Sequence, residues 1–258
     1  MLLEIKNLSV MYPDSTVALG GVSFSLNEKH ILALAGESGS GKSTIALSLM
    51  GLLPLHSVVR GKMVFEGKEI DLTHQQYFER LRGTRIGFIM QDPLGTFNPV
   101  LNIGYHFHEL LICRAGIHSF EEREKLIFSA LSSAGLKPNQ ALLKSYAHQF
   151  SGGQLQRISI AMAIVLKPAL IIADEPTSAL DVVVESGIID LFKDLKNNFD
   201  GSIIFITHNL GVARVLADDI LVLSNGDARE YGKCEDIFNN PQDSYTKKLL
   251  MAYKALEG

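Results

Sequence analysis

Ile31-Leu32-Ala33-Leu34-Ala35 runs without a break into Gly36-Glu37-Ser38-Gly39-Ser40-Gly41-Lys42-Ser43, and Thr44 opens an apolar stretch that reaches Leu53. Five consecutive apolar residues suit a strand buried on both faces. The eight that follow fit G-x-x-x-x-G-K-[ST] in full, with the strand before them and an expected helix, Thr44–Leu53, behind them. Glycines at these positions let successive backbone N–H groups turn inward on a polyphosphate, and the helix adds its N-terminal dipole. Lys42 would then neutralise the β- and γ-phosphates, and Ser43 would ligate Mg²⁺. Strand, glycine-rich turn and helix in this order form a P-loop.

Working outward, similar apolar runs occur at Ile86–Met90, Leu170–Ala173, Ile203–Ile206 and Ile220–Leu223. With helical stretches following several of them, the pattern predicts a mostly parallel α/β sheet. Leu3, Ile5, Val22, Phe24 and Leu26 instead alternate with polar neighbours, as half-buried antiparallel strands do, and predict an antiparallel edge. From Pro93 to about Leu166 the character changes. Glu121-Glu122-Arg123-Glu124-Lys125 leads into Leu126, Ile127, Ala130, Leu131 and Ala134 at helical spacing, and Ser119 is placed to cap that helix. This segment reads as a helical insert in the α/β core, with no internal repeat or low-complexity linker around it.

Composition narrows the class. A chain of 258 residues, 47% of them hydrophobic, can bury a sizeable core as one domain with an inserted subdomain, and is too apolar for a disordered chain. A net charge of −4 provides no general basic field for nucleic acid. Cys113 and Cys234 lie far apart without metal-ligand spacing and read as reduced thiols. The first residues, Met1 to Lys6, have no signal-peptide pattern. The longest apolar passage, Ile158 to Leu166, is well short of the roughly 20 residues of a membrane span. The expectation is a chain that does not cross a membrane by itself, although it can sit against one. His106 and His108, two apart on an expected helix, point to different faces and predict no metal site.

A second chemical element is Leu170-Ile171-Ile172-Ala173-Asp174-Glu175, an apolar strand ending in two acids that resembles a Walker B motif. Asp174 would hold Mg²⁺ through water and Glu175 would polarise the attacking water; taken alone, the pair could instead cap the next helix. Phe150-Ser151-Gly152-Gly153-Gln154, followed by Leu155-Gln156-Arg157, resembles the LSGGQ signature of ATP-binding cassette (ABC) ATPases, with Phe150 in place of the usual leucine. The family's other motifs fall in order. Gln91 matches the Q-loop, Ser178-Ala179-Leu180-Asp181 the D-loop and His208 the switch histidine, while Tyr12 sits where an aromatic stacks on adenine. Singly, His208 could be a strand-end histidine, Tyr12 an edge aromatic and Gln91 the opening of a turn.

The resemblance implies a P-loop NTPase of RecA-like, ABC ATPase type, with a core of about 1–91 and 167–258 and a helical signature subdomain of about 92–166. It implies ATP contacts from Tyr12, Gly36, Glu37, Ser38, Gly39, Ser40, Gly41, Lys42, Ser43 and Thr44, and Mg²⁺ ligation by Ser43, Gln91 and Asp174. Glu175, His208 and Gln91 would be catalytic. Ser151, Gly152, Gly153 and Gln154 would face the nucleotide of a partner, and Asp181 would belong to the D-loop. One P-loop and one signature cannot complete a two-ATP sandwich, so a second cassette, identical or sister, is implied. Two integral membrane permease subunits and, indirectly, an extracytoplasmic substrate-binding protein complete the expected assembly. The chain would sit peripherally on the cytoplasmic face of the membrane.

Gln91-Asp92-Pro93-Leu94-Gly95-Thr96-Phe97-Asn98-Pro99 resembles the QDP…NP stretch of peptide and nickel importer cassettes, and Leu94 to Val100 are candidates for the membrane-partner contact. Thr207-His208-Asn209-Leu210 is similar to the same group, with Asn209 where aspartate is usual. So is Tyr245-Thr246-Lys247-Lys248-Leu249-Leu250, preceded by Asp243-Ser244 instead of His-Pro. The short tail, without a cysteine cluster, is similar to nickel-import cassettes and tilts the expected cargo toward a metal or metal chelate over a peptide. Two other readings stand beside the importer. One is a soluble cassette acting on nucleic acid or ribosomes, a group that usually carries two cassettes or a long coiled-coil insertion. The other is a nucleotide-binding regulatory partner, although Lys42, Asp174, Glu175 and His208 are all present.

Overall fold

The computed structural model describes residues 1–178 and 180–257. In chain order, the first elements are β1 (Leu3–Met11), β2 (Val17–Leu26), β3 (Ile31–Ala35), α1 (Lys42–Met50), β4 (Val58–Phe65), β5 (Lys68–Ile70) and α2 (Gln75–Leu81). Next come β6 (Ile86–Ile89), α3 (Ile103–Ala115), α4 (Phe120–Ser133), α5 (Gln140–Lys144), α6 (Gly152–Ile164), β7 (Leu170–Asp174) and α7 (Val182–Asn198). The last are β8 (Ser202–Thr207), α8 (Leu210–Leu216), β9 (Asp219–Ser224), β10 (Asp227–Lys233), α9 (Cys234–Asn239) and α10 (Ser244–Glu257). The chain divides into two compact units, residues 1–81 with 202–258, and residues 82–201.

In the first unit, β2-β1-β4-β5 form an antiparallel sheet. The alternation in the sequence becomes its register: Leu3 opposite Leu26, Ile5 opposite Phe24 and Leu8 opposite Val22, all buried on one face. β3 lies between β8 and β9 in parallel pairing, and β10 folds back antiparallel on β9. All five residues of β3 and all six of β8 are buried, as unbroken apolar strands between neighbours should be. The Tyr231 hydroxyl donates to the Ser25 carbonyl at 2.8 Å and so ties β10 to β2.

One face of β3 and β9 is covered by the C-terminal helices. Ala33, Ala35, Ile220 and Val222 pack with Leu210 and Ala213 of α8, Ile237 and Phe238 of α9, and Leu250 of α10. A buried leucine or isoleucine contributes about 1.5–3 kcal/mol, so this cluster fixes the strand that leads into the phosphate loop.

In the second unit, β6 and β7 pair in parallel, Ile86 with Leu170 through Ile89 with Ala173. α6 lies close against β6: a Cβ on Gly87 would stand 2.6 Å from the Ala163 carbonyl oxygen. α4 matches its expected cap and face, with Ser119 Oγ accepting from the Glu122 amide and Ile127, Ala130 and Leu131 buried. Arg157 of α6 donates to the carbonyls of Ala134 at 3.0 Å and Gly187 at 2.9 Å, binding the end of α4 and the first turns of α7 to α6.

Candidate functional site

The phosphate loop of the first unit is shaped by close backbone approaches. Gly36 has φ +150°, and a Cβ there would stand 2.2 Å from the Leu223 carbonyl oxygen, so the loop leaves β3 pressed against β9. Gly41, at φ +105°, is packed against Leu19 and the Ala18 carbonyl of β2, which seats the end of the loop on the antiparallel sheet. Glu37, Ser38 and Gly39 form an exposed lip, while Ser40, Lys42 and Thr44 are buried below it. Lys42 Nζ donates to the carbonyls of Gly36 and Glu37, both at 2.8 Å, which holds the ammonium at the mouth of the loop.

The helix behind the loop is α1, Lys42–Met50, shorter than the Thr44–Leu53 read from the apolar run. Gly51 ends it in a left-handed conformation, its amide bonded to Ser48, and Phe78 fills the space where a Cβ would lie. At its other end, helix geometry begins at Lys42 itself, so the first-turn amides of Lys42 and Ser43 belong to the anion-facing terminus. Tyr12, at the end of β1, shares a 2.8 Å hydrogen bond between its hydroxyl and that of Thr44. It therefore stands beside the first turn of α1.

His208 leaves β8 immediately after Thr207, which is paired with Ala35. It thus emerges from the sheet level with Gly36, and its side chain is exposed. The unusual Asn209 next to it caps α8, its Oδ1 accepting from the amides of Gly211 at 2.9 Å and Val212 at 3.4 Å.

The second unit collects another group. Gln91 follows β6, and Asp174 and Glu175 close the neighbouring β7. Gln91 Nε2 donates to Ser178 Oγ at 3.2 Å and lies 3.5 Å from Glu175 Oε2. Ser178 Oγ in turn donates to the Glu175 carbonyl at 3.1 Å. Glu175 has φ +44°, a left-handed conformation that costs a non-glycine residue about 1–2 kcal/mol.

Ser151 is the N-cap of α6. Its Oγ accepts from the Gln154 amide, and Gln154 Oε1 accepts from the Ser151 amide, a reciprocal capping box. The S-x-x-Q spacing ahead of an apolar run carries that signal, and reading it only as a signature motif misses the cap. A Cβ on Gly153 would stand 2.4 Å from Val184 Cγ1, so this glycine lets α6 and α7 meet. Asp181 caps α7 through the amides of Val183 at 3.1 Å and Val184 at 3.0 Å. Ala179, between Ser178 and Asp181 in the D-loop sequence, lies outside the described residues.

His106 and His108 have separate partners: Asn98 and Asn102 for the first, Arg123 and Phe120 for the second. Among the described residues no helix is long and apolar enough to cross a membrane.

The family described as ABC transporter matches residues 19–178. The oligopeptide transport ATP-binding protein OppD of Bacillus subtilis (strain 168) is 40% identical, the match covering 99% of this chain and 73% of that protein. The dipeptide transport ATP-binding protein DppD of the same organism is 41% identical, over 99% of this chain and 77% of that protein. Among solved structures, the dimeric post-hydrolysis state of the ATP-binding cassette MJ0796, bound to ADP and Pi, superposes with a TM-score of 0.78 at 28% identity, covering 90% of this chain and 99% of that one.

Proposed function

The chain belongs to the ABC transporter family, and on that premise we propose that it is the ATP-hydrolysing subunit of a multisubunit importer whose cargo is a di- or oligopeptide. The observation that carries the cargo is the near-complete overlap with proteins named for peptide transport, 99% of this chain in each of two cases. The sequence alone leaned toward a metal or metal chelate, and nickel therefore remains the comparison in the test below.

We propose these residue roles. ATP supplies the phosphoryl group, and Mg²⁺ screens its charge. The oxygen donors Ser43, Gln91 and Asp174 suit that hard cation. Lys42 and the amides from Gly36 to Thr44 hold the β- and γ-phosphates, and Tyr12 stacks on the adenine. Glu175 orients and deprotonates the attacking water, Gln91 positions it through their contact, and His208 holds the γ-phosphate. Ser151, Gly152, Gly153 and Gln154, with Asp181, act on the nucleotide of a second cassette, identical or sister. The two-ATP dimer so formed drives two membrane permease subunits. An extracytoplasmic binding protein delivers cargo to them, and this chain lies peripherally on the cytoplasmic face.

The experiment is ATPase activity of the purified chain, alone and co-expressed with candidate permease and sister-cassette subunits. In the assembly, activity is expected to rise and to rise further with a peptide-loaded binding protein. A response to the nickel-loaded protein and not the peptide-loaded one would reverse the cargo assignment, and equal activity alone and assembled would remove the coupling.

A further inference from the structure

The stretch after Gln91 is fastened at both ends. At the start, Gln91 bonds Ser178. Within it, Asp92 Oδ1 accepts from the Leu94 amide at 2.9 Å, Thr96 Oγ1 donates to the Asp92 carbonyl at 3.3 Å, and Phe97 is buried. At the far end the fastening is His106 of α3. The Asn98 amide donates to His106 Nε2 at 2.9 Å, and His106 Nδ1 lies 2.9 Å from the Asn102 carbonyl oxygen. A carbonyl only accepts and an amide N–H only donates, so Nδ1 carries the hydrogen and Nε2 offers its lone pair. The ring also meets Phe97 edge-on, centroids 5.2 Å apart. Asn98 Oδ1 continues the chain of bonds by accepting from the Val100 amide at 3.2 Å. Between and beside the two fastenings, Leu94 and Val100 are 54% and 75% exposed.

We infer that His106 is a positioning residue. Held as the Nδ1–H tautomer, it bridges Asn98 and Asn102 and keeps the Gln91–Val100 loop in the shape that presents Leu94 and Val100 to the membrane partner. Both polar atoms of the ring are consumed in this bridge, so it contributes no ligand to a metal. A loop anchored only at Gln91 would let its far half reorder on contact, and displacement of the partner would not reach Gln91. Anchored at both ends, the loop transmits it. This inference rests on the proposed role of the loop in docking, and the test separates the two.

His106→Phe keeps the ring against Phe97 and removes both hydrogen bonds. His106→Gln offers an amide oxygen to Asn98 and an amide N–H to Asn102. In the isolated chain, His106→Phe is expected to keep basal ATPase activity within about twofold while the Asn98 amide exchanges with solvent at least about tenfold faster, as for one opened loop hydrogen bond. In the assembly, stimulation of the ATPase by the permease subunits is expected to drop several-fold in His106→Phe and to recover in His106→Gln. Unchanged Asn98 exchange in His106→Phe overturns the bridge. Faster exchange with full stimulation overturns its role in transmission. A wild-type chain that the permeases do not stimulate defeats the docking reading, and the exchange measurement still decides the bridge.

Discussion

Gly153 shows how a residue of a sequence motif can be required for packing. Its absent Cβ would meet Val184 Cγ1 at 2.4 Å, and valine cannot rotate away freely because both its methyls sit on a branched carbon. Gly153→Ala is expected to lower stability by about 1–3 kcal/mol through overpacking. Val184→Ala in the same chain should restore most of that loss, a coupling readable by denaturant titration of the two single variants and the double. Equal stability of Gly153→Ala and wild type would dismiss the packing role. From the sequence, the glycines of Gly36–Ser43 could be assigned because the whole phosphate loop is contiguous. The reason for Gly153 could not, since Val184 lies 31 positions away on another helix. Tyr12 with Thr44, and Gln91 with Ser178, were illegible for the same reason: each pair is closed by tertiary packing and leaves no local spacing to read.

Among the elements, α3 and α4 meet through a hydrogen bond that depends on protonation. Arg123 Nε donates to His108 Nδ1 at 3.0 Å, and Nη1 of the same arginine donates to the carbonyls of Ile117 and His118 in the turn between the helices. Burial, and then the neighbouring guanidinium, hold the His108 pKa below its usual 6.5, with Glu124 opposing weakly. A depressed histidine favours the neutral form in the fold, so its contribution is complete above the unfolded-state pKa and is lost as the pH falls through 6.5 toward the folded value. The melting temperature should therefore drop between pH 7.5 and 5.5, and His108→Gln should flatten that slope, because its amide oxygen still accepts from Arg123 and does not titrate. Parallel slopes in the two proteins would remove His108 as the source. Element types were largely readable from apolar spacing, as the matches at α4, β3 and β8 show. β4 was not: Arg60-Gly61-Lys62 breaks its pattern, and half of the strand is exposed. Its position comes from pairing with β1, where Gly61 crosses so near the Lys6 and Asn7 carbonyls that a side chain would not fit.

For the whole molecule, the proposed two-cassette cycle makes a prediction that no single unit could. Glu175→Gln keeps the shape of the turn after β7 and removes the base, so the rate of hydrolysis should fall by about 10²–10⁴-fold while ATP still binds. With the second cassette present, the variant should accumulate as an ATP-bound dimer whose mass is readable by light scattering. An unaltered hydrolysis rate would remove Glu175 as the base. The strand before the phosphate loop adds a constraint on engineering. Ala35, the last residue of β3, shares its cluster with Leu250 of the final helix, and Tyr253 packs on the same group. That helix is capped by Asp243, whose Oδ1 takes the amides of Tyr245 at 2.8 Å and Thr246 at 3.1 Å. The residues that break the family's usual His-Pro pattern thus start a helix that serves as the floor under the nucleotide loop. A truncation designed to trim a tail would here remove the support beneath the strand that leads into Gly36–Ser43.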